Sequence, residues 1–238
     1  MKITRFYQDS IDTRYEFASV KAHEIFMNYF ILNKSFTYLL FRKMLKEQHI
    51  AMTHYGYRGN TTAPIINRPI LNVFRDEPEF HEITLLKPEL KKEWYKEELA
   101  NFNLNNIKKI QPNIDSVPVF ARHKLINKEN VLVLHLPQNH LLKYYLIPMY
   151  KILNKIKNYY LSNNKEEALD LLGHYIQLFV IGHPFEKVNF SICMIQINTL
   201  LNLFFQKDIY HEYLDFKCFL LDTKVIIKEF KKMIRKTK

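Results

Sequence analysis

The sequence predicts a mainly α fold with one small β-hairpin, and three observations predict it. Glycine is scarce: Gly56, Gly59, Gly173 and Gly182 are the four in 238 residues. A chain so poor in the residue that turns rely on favours helices over a turn-rich β architecture. The same scarcity excludes a Gly-rich P-loop or dinucleotide fingerprint. Hydrophobic residues make up 47% of the chain, and in several long stretches they recur three and four positions apart, the period of a helix face. Two runs instead carry a β pattern, Val117–His123 and Asn130–Leu136, separated by the turn-prone residues Asn127, Lys128, Glu129 and Asn130. At 28.8 kDa the chain can bury a sizeable core, as one domain with an extension or as two small domains. Residues 1–110 read as an N-terminal helical extension and residues 111–238 as the domain that holds the hairpin and the later helices.

In chain order, Asp12 or Thr13 caps a first helix that runs to Leu32, and Ser35 caps a second that runs to Gln48. From Met52 to Arg75 the helical period breaks around Gly56, Gly59, Pro64 and Pro69, which predicts a loop with short extended pieces. Glu89–Phe102 follows as a charged amphipathic helix around Trp94, and the Asn-rich stretch Asn103–Ser116 reads as a linker. After the hairpin, Pro148 lies near the start of a helix that reaches Leu161. Asn163 or Asn164 caps the next, over Glu166–Ile181, with Leu169, Leu172, Ile176, Phe179 and Val180 on its apolar face. Gly182 and Pro184 stop it, and Asn189 caps a helix to Gln206 with Ile192, Ile195, Thr199 and Leu200 on one side. Two closing helices are expected over Asp208–Leu221 and Thr223–Lys236, the last with a basic tail that suits a helix C-terminus.

The stretch Ile181–Met194 is where a histidine, a helix breaker and a fresh helix start coincide. A histidine in the turn before a helix N-terminus faces unpaired backbone N–H groups and the positive end of the helix dipole, which together attract anions such as phosphate. An unperturbed imidazole titrates near pH 6.5 and takes up protons readily. A proton acceptor beside a phosphate seat suggests group transfer.

His183, Pro184, Phe185 and Asn189, with Phe179, Val180, Asn198 and Leu201 around them, resemble the core of the Fic domain. The family pattern is His-x-Phe-x-(Asp/Glu)-(Gly/Ala)-Asn-(Gly/Lys)-Arg-x-x-Arg. The resemblance implies a Fic-like helical bundle with a β-hairpin flap, a core from about Val117 to about Leu221, and transfer of AMP or another phosphate-linked group onto a protein hydroxyl. It gives His183 the role of base, and it implies phosphate or nucleotide contacts at Asn189, Lys187, Ser191 and Phe185. On the flap, Arg122, His123 and Lys124 would hold the target segment as an added strand. Neither Ser10 nor Thr13 has a Glu four residues on, as the self-inhibitory helix of some Fic proteins does.

The departures change the expected chemistry. Lys187 stands where the family has an acidic metal ligand, and it repels a divalent cation while it is able to neutralise a phosphate. No metal is therefore expected, magnesium included, whereas a nucleotide remains an admissible ligand. Val188 stands at a small-residue position and, being β-branched, is expected to resist positive φ. Ser191 and Met194 replace two arginines and cannot grip a phosphate bidentately. Two functions follow: a degenerate Fic fold that binds a protein or a phosphate-bearing ligand, or an active transferase with His183 as base.

The formal net charge of +11 and a pI near 9.4 suit an acidic partner and leave nucleic acid and anionic lipid open. Cys193 and Cys218 are too few for a disulfide framework or a zinc cluster and read as buried thiols. His135 and His140 lie five apart across Pro137, poor spacing for metal ligation. No apolar run approaches the roughly eighteen residues of a membrane span, and the first residues lack a signal-peptide core. These features lead us to expect a cytoplasmic protein, a description that also fits an effector delivered into a host cytosol.

Overall fold

The computed structural model describes residues 13–55, 82–84, 122–126, 131–135, 142–162, 164–185, 188–207, 209, 214, 217–218 and 223–236. The expected loop from residue 56 onward, the helix over Glu89–Phe102 and the linker over Asn103–Ser116 lie outside them. Six helices form the described body: α1 (Thr13–Leu32), α2 (Tyr38–Tyr55), α3 (Lys143–Ser162), α4 (Lys165–Gly182), α5 (Asn189–Phe205) and α6 (Thr223–Lys236). Three short strands, β1 (Glu82–Thr84), β2 (Arg122–Ile126) and β3 (Val131–His135), pair antiparallel in the order β1–β3–β2. Arg122 stands opposite His135 and Ile126 opposite Val131. β2 shares Arg122 and His123 with the first strand expected from the sequence, and the rest of that expected strand, Val117–Ala121, lies outside the described residues. The sheet's side chains and the residues between β2 and β3 are outside the described set.

α1 to α5 alternate in direction, α6 runs parallel to α5, and the helices bury the faces that their periods dictate. In α1, Ala18, Ala22, Phe26 and Phe30 recur every four residues and are all buried. In α6, Ile226, Phe230 and Ile234 do the same, a stripe whose burial is worth roughly 5–9 kcal/mol before chain entropy is subtracted. α4 lies antiparallel to α6, since Gly173 faces Ile227 and Asp170 bridges Lys231. A Cβ on Gly173 would sit 2.8 Å from Ile227 Cγ1 and 3.1 Å from its Cα, so the missing side chain sets how closely the two helices approach. α5 departs from the expected one-sided helix. Every residue from Asn189 to Leu201 is buried, because α5 packs against α1, α2 and α4 and so has no solvent face along that length.

Burial on all sides forces the polar residues of α5 to find partners. Tyr175 donates its hydroxyl to Gln196 Oε1 at 2.5 Å, Gln196 Nε2 donates to Gln48 Oε1 at 2.5 Å, and Gln48 Nε2 donates to the Ala22 carbonyl at 2.9 Å. This chain of bonds ties α4, α5, α2 and α1 together through the core. Three asparagines act on loops in a common way, each amide pairing with both the N–H and the C=O of one residue: Asn154 with Phe36, Asn189 with Phe185 and Asn198 with Ile209. Such a clamp satisfies a loop's backbone where no helix or strand can.

Several boundaries differ from those expected. α2 begins at Tyr38 because Thr37, not Ser35, supplies the cap: Leu40 N–H donates to Thr37 Oγ1 at 3.1 Å and Phe41 N–H to the Thr37 carbonyl at 2.9 Å. The helix continues to Tyr55, taking in Met52 and the three residues after it that the sequence reading placed in a loop. Pro148 lies near the start of α3 as expected, but inside the helix, where it leaves one carbonyl without its usual helical donor. Asn164 precedes α4 as expected, without a side-chain cap bond. Of the expected helix over Asp208–Leu221, Ile209, Leu214, Lys217 and Cys218 are described; the last three are helical and Ile209 is not. Cys193 and Cys218 are buried, and burial pushes the Cys193 thiol well up.

Candidate functional site

α4 ends against α3 and hands the chain to a turn that packing, rather than glycine flexibility, defines. Gly182 is the last helical residue, and a Cβ there would meet Tyr145 Cβ at 2.9 Å. Its role is close approach to α3. The left-handed residue that stops the helix is His183, at φ 43° and ψ 60°, with its N–H donated to the Phe179 carbonyl at 3.0 Å. Pro184 enforces the stop, since a proline disfavours right-handed helical geometry in the residue before it. Phe185 then turns inward. Its side chain is fully buried and stacks on the His49 ring of α2, centroid to centroid at 4.3 Å and 18° apart in plane.

Asn189 does not cap α5 from outside. It is the first residue of the helix, and its amide folds back onto the turn: Phe185 N–H donates to Asn189 Oδ1 at 2.8 Å, and Asn189 Nδ2 donates to the Phe185 carbonyl at 2.6 Å. The cap position belongs to Val188, which is left-handed at φ 57° and ψ 15°. The expectation that a β-branched residue would resist positive φ there does not hold. The Asn189 clamp on one side and the first helical bond, Ile192 N–H to the Val188 carbonyl at 3.0 Å, on the other hold Val188 in a conformation that costs about 1–2 kcal/mol. A left-handed residue followed by helical ones aims successive N–H groups into a concavity of the kind that binds anions.

The site residues expected from the sequence are distributed as follows. His183 is half-buried, while Phe185, Asn189 and Ser191 are buried, and so is Met194 at the position of an expected arginine. Phe185 reaches the turn's polar chemistry through its backbone alone. Lys187 lies outside the described residues. Arg122, His123 and Lys124 fall in β2, at an edge of the sheet. His135 is in β3, and His140 is outside the described set. Among the described residues no three His, Cys, Asp or Glu side chains gather as metal ligands.

His49 was missed because the expected second helix stopped one residue short of it and its partner, Phe185, is remote in sequence. His23 was likewise silent. Its Nδ1 lies 2.7 Å from Thr199 Oγ1, and Thr199 gives its hydroxyl hydrogen to the Ile195 carbonyl at 2.6 Å. A threonine hydroxyl has one hydrogen, so Nδ1 of His23 carries the proton and donates.

Burial lowers the pKa of both His23 and His174, against the opposing pull of Glu24 and Asp170 respectively. Unfolding frees both imidazoles to bind protons that the folded state resists. Stability from these groups is therefore present in full above about pH 6.5 and is lost as pH falls through their folded values. Urea midpoints are expected to drop between pH 7.5 and 5, and to drop less in a His23→Gln/His174→Gln double variant compared over the same range. Comparison with family models, curated proteins and solved structures gave no match to this chain.

Proposed function

We propose that the chain is a degenerate Fic-like helical protein that binds a protein partner or an acidic, phosphate-bearing ligand at the His183 turn and transfers no group. The observation that carries this reading is what the pattern-matching residues do. Phe185 and Asn189 hold the turn, with the Asn189 amide engaged by the Phe185 backbone on both its donor and acceptor sides. The position where a phosphate-gripping arginine would act is Met194, buried in the core, where a charge would be strongly disfavoured. These contacts support reading the turn as a seat for an anion that lacks the arginines a nucleotide transferase would use. Lys187 is the residue assigned to neutralise a bound anion, and the β2 edge with Arg122, His123 and Lys124 is the flap assigned to a partner segment.

One observation favours the alternative, a transferase with His183 as base: from Tyr175 to Phe185, His183 is the one residue that is not buried. A thermal-shift series with pyrophosphate, ATP, UTP and CDP-choline, each with and without magnesium, separates the two when paired with a transfer assay on protein substrates. The binding reading expects a magnesium-independent shift, worth about 2.7 kcal/mol at a hundredfold excess of ligand over Kd, and no added mass on any substrate. Transfer that disappears in His183→Ala overturns it in favour of the enzyme. A complete absence of shift removes the phosphate ligand and leaves the protein partner.

A further inference from the structure

We propose that the end of the helical bundle opposite His183 is a docking surface for bilayers rich in anionic lipid. That end is built where α1, α3, α5 and α6 finish and α2 and α4 begin. Phe30 and Tyr160 pack at 6.3 Å between ring centroids, Tyr160 and Phe204 at 5.3 Å, and Lys207 Nζ donates to the Ile234 carbonyl at 3.3 Å. The His183 turn lies at the other end, where Gly182 meets Tyr145 near the start of α3. The 17 residues of α5 separate the two ends by about 25 Å.

The three most exposed large apolar side chains among the described residues are all at this end: Leu32 at 79%, Leu161 at 74% and Leu39 at 73% exposed. Ile31 at 57% and Tyr160 at 43% stand beside them in the chain. Scattered singly, exposed apolar residues mean little, but apolar tips gathered at one end mark a contact surface.

The charge around these tips has one sign over long stretches. From Ile25 to Lys46 the sequence carries Lys34, Arg42, Lys43 and Lys46 and no Asp or Glu, and α3 carries four lysines and again no acid. α5 brings no acid either, and the basic end of α6 arrives at the same place. Glu166 and Glu167 open α4 there, and Asp170 beyond them is paired with Lys231. Lys157 donates to the Phe30 and Asn33 carbonyls and Lys207 to that of Ile234, so the closing carbonyls of α1 and α6 are partly covered by cations as well.

Leucines that protrude within a basic surround fit a bilayer interface, where acyl chains take the apolar tips, a tyrosine settles at headgroup level and lysines meet anionic headgroups. A nucleic acid would satisfy the lysines and leave the leucines with nothing apolar to meet. A second copy of the chain paired face to face would set lysines against lysines. Docked this way, the chain carries the His183 turn on the side that faces away from the bilayer. The inference does not depend on what that turn binds.

The test is sedimentation of the full chain with neutral phosphatidylcholine vesicles and with vesicles that contain phosphatidylserine. Binding is expected to the anionic vesicles alone, to weaken as salt is raised, and to fall roughly tenfold or more in Leu32→Asp/Leu161→Asp, because two inserted side chains are lost. These residues are exposed, so the double variant is expected to melt like the wild type. Val225→Asp, at an exposed apolar position near the start of α6, is expected to bind as the wild type does. No sedimentation with anionic vesicles overturns the proposal, as does equal binding by the double variant. A dimer in light scattering that the double variant abolishes, without vesicle binding, would assign the surface to a second copy. Retention of duplex DNA without vesicle binding would assign it to nucleic acid. Either result overturns the lipid assignment.

Discussion

Gln196→Leu is expected to destabilise the folded chain by about 2–5 kcal/mol, the largest effect of any single polar substitution in the core. The side chain is fully buried and sits in the middle of a bonded chain, accepting from Tyr175 and donating to Gln48. Leucine is close in size, so the packing change is small. What is lost is the partner of two other buried groups, the Tyr175 hydroxyl hydrogen and Gln48 Oε1, each of which then bears its own desolvation penalty of about 1–3 kcal/mol. Burial has already raised the Tyr175 pKa well above its ordinary value, so ionisation offers that hydroxyl no escape. The combined variant Gln48→Leu/Gln196→Leu/Tyr175→Phe removes every member of the chain and leaves only the Ala22 carbonyl, a helical acceptor that has its own backbone donor. It is expected to recover most of the loss, to within about 1 kcal/mol of the wild type. Urea unfolding of the single and triple variants checks this. Additive losses across the three positions would mean that each side chain matters for its packing and not for the bonds it shares.

The same network explains where the sequence was legible and where it was not. The helices α1, α4 and α6 could be read almost to the residue, because their apolar period is strong and their ends carry local signals. Gln196 and Asn198 in α5 could not be read as buried, although Thr199 was placed on the apolar side. A local pattern assigns polar residues to solvent, and the partners that permit the burial of Gln196 and Asn198 come from other segments: Gln48 and Ile209. α2 was misplaced because Ser35 and Thr37 are both good caps, and the choice between them involves Asn154, which clamps Phe36 from another helix. The turn at His183 was found from its breakers, but the cap of the helix that follows was misassigned. Asn189 reads as a cap from its type and position, yet the helix took Val188 for that role at the cost of a left-handed backbone. Nothing local reveals that exchange, because the gain lies in the bonds between Asn189 and Phe185 and in the stack of Phe185 on His49.

Asn189→Ala is expected to cost about 2–4 kcal/mol and to remove the ligand binding proposed for the turn. Two bonds are broken, and the Phe185 N–H and C=O, both buried with their residue, lose partners that water cannot replace. With the clamp gone, the left-handed strain at Val188 is no longer held, so the backbone between His183 and α5 relaxes and the N–H groups that precede the first helical bond lose their common direction. Asn189→Asp separates the two halves of the clamp. Its carboxylate still accepts from Phe185 N–H, but its second oxygen faces the Phe185 carbonyl at a position where the amide donated at 2.6 Å, and repulsion replaces that bond. Both the repulsion and burial raise the folded-state pKa of the new acid above that of the unfolded chain. Its folded state therefore binds the extra proton, and the stabilising contribution of the protonated form is full below about pH 4 and lost as pH rises through the raised value. The stability deficit of Asn189→Asp relative to the wild type is thus expected to widen between pH 4 and pH 7, whereas that of Asn189→Ala stays level. Urea titrations of the three proteins at the two pH values measure this, and a deficit of the aspartate variant that does not change with pH would place the Asn189 amide outside the clamp.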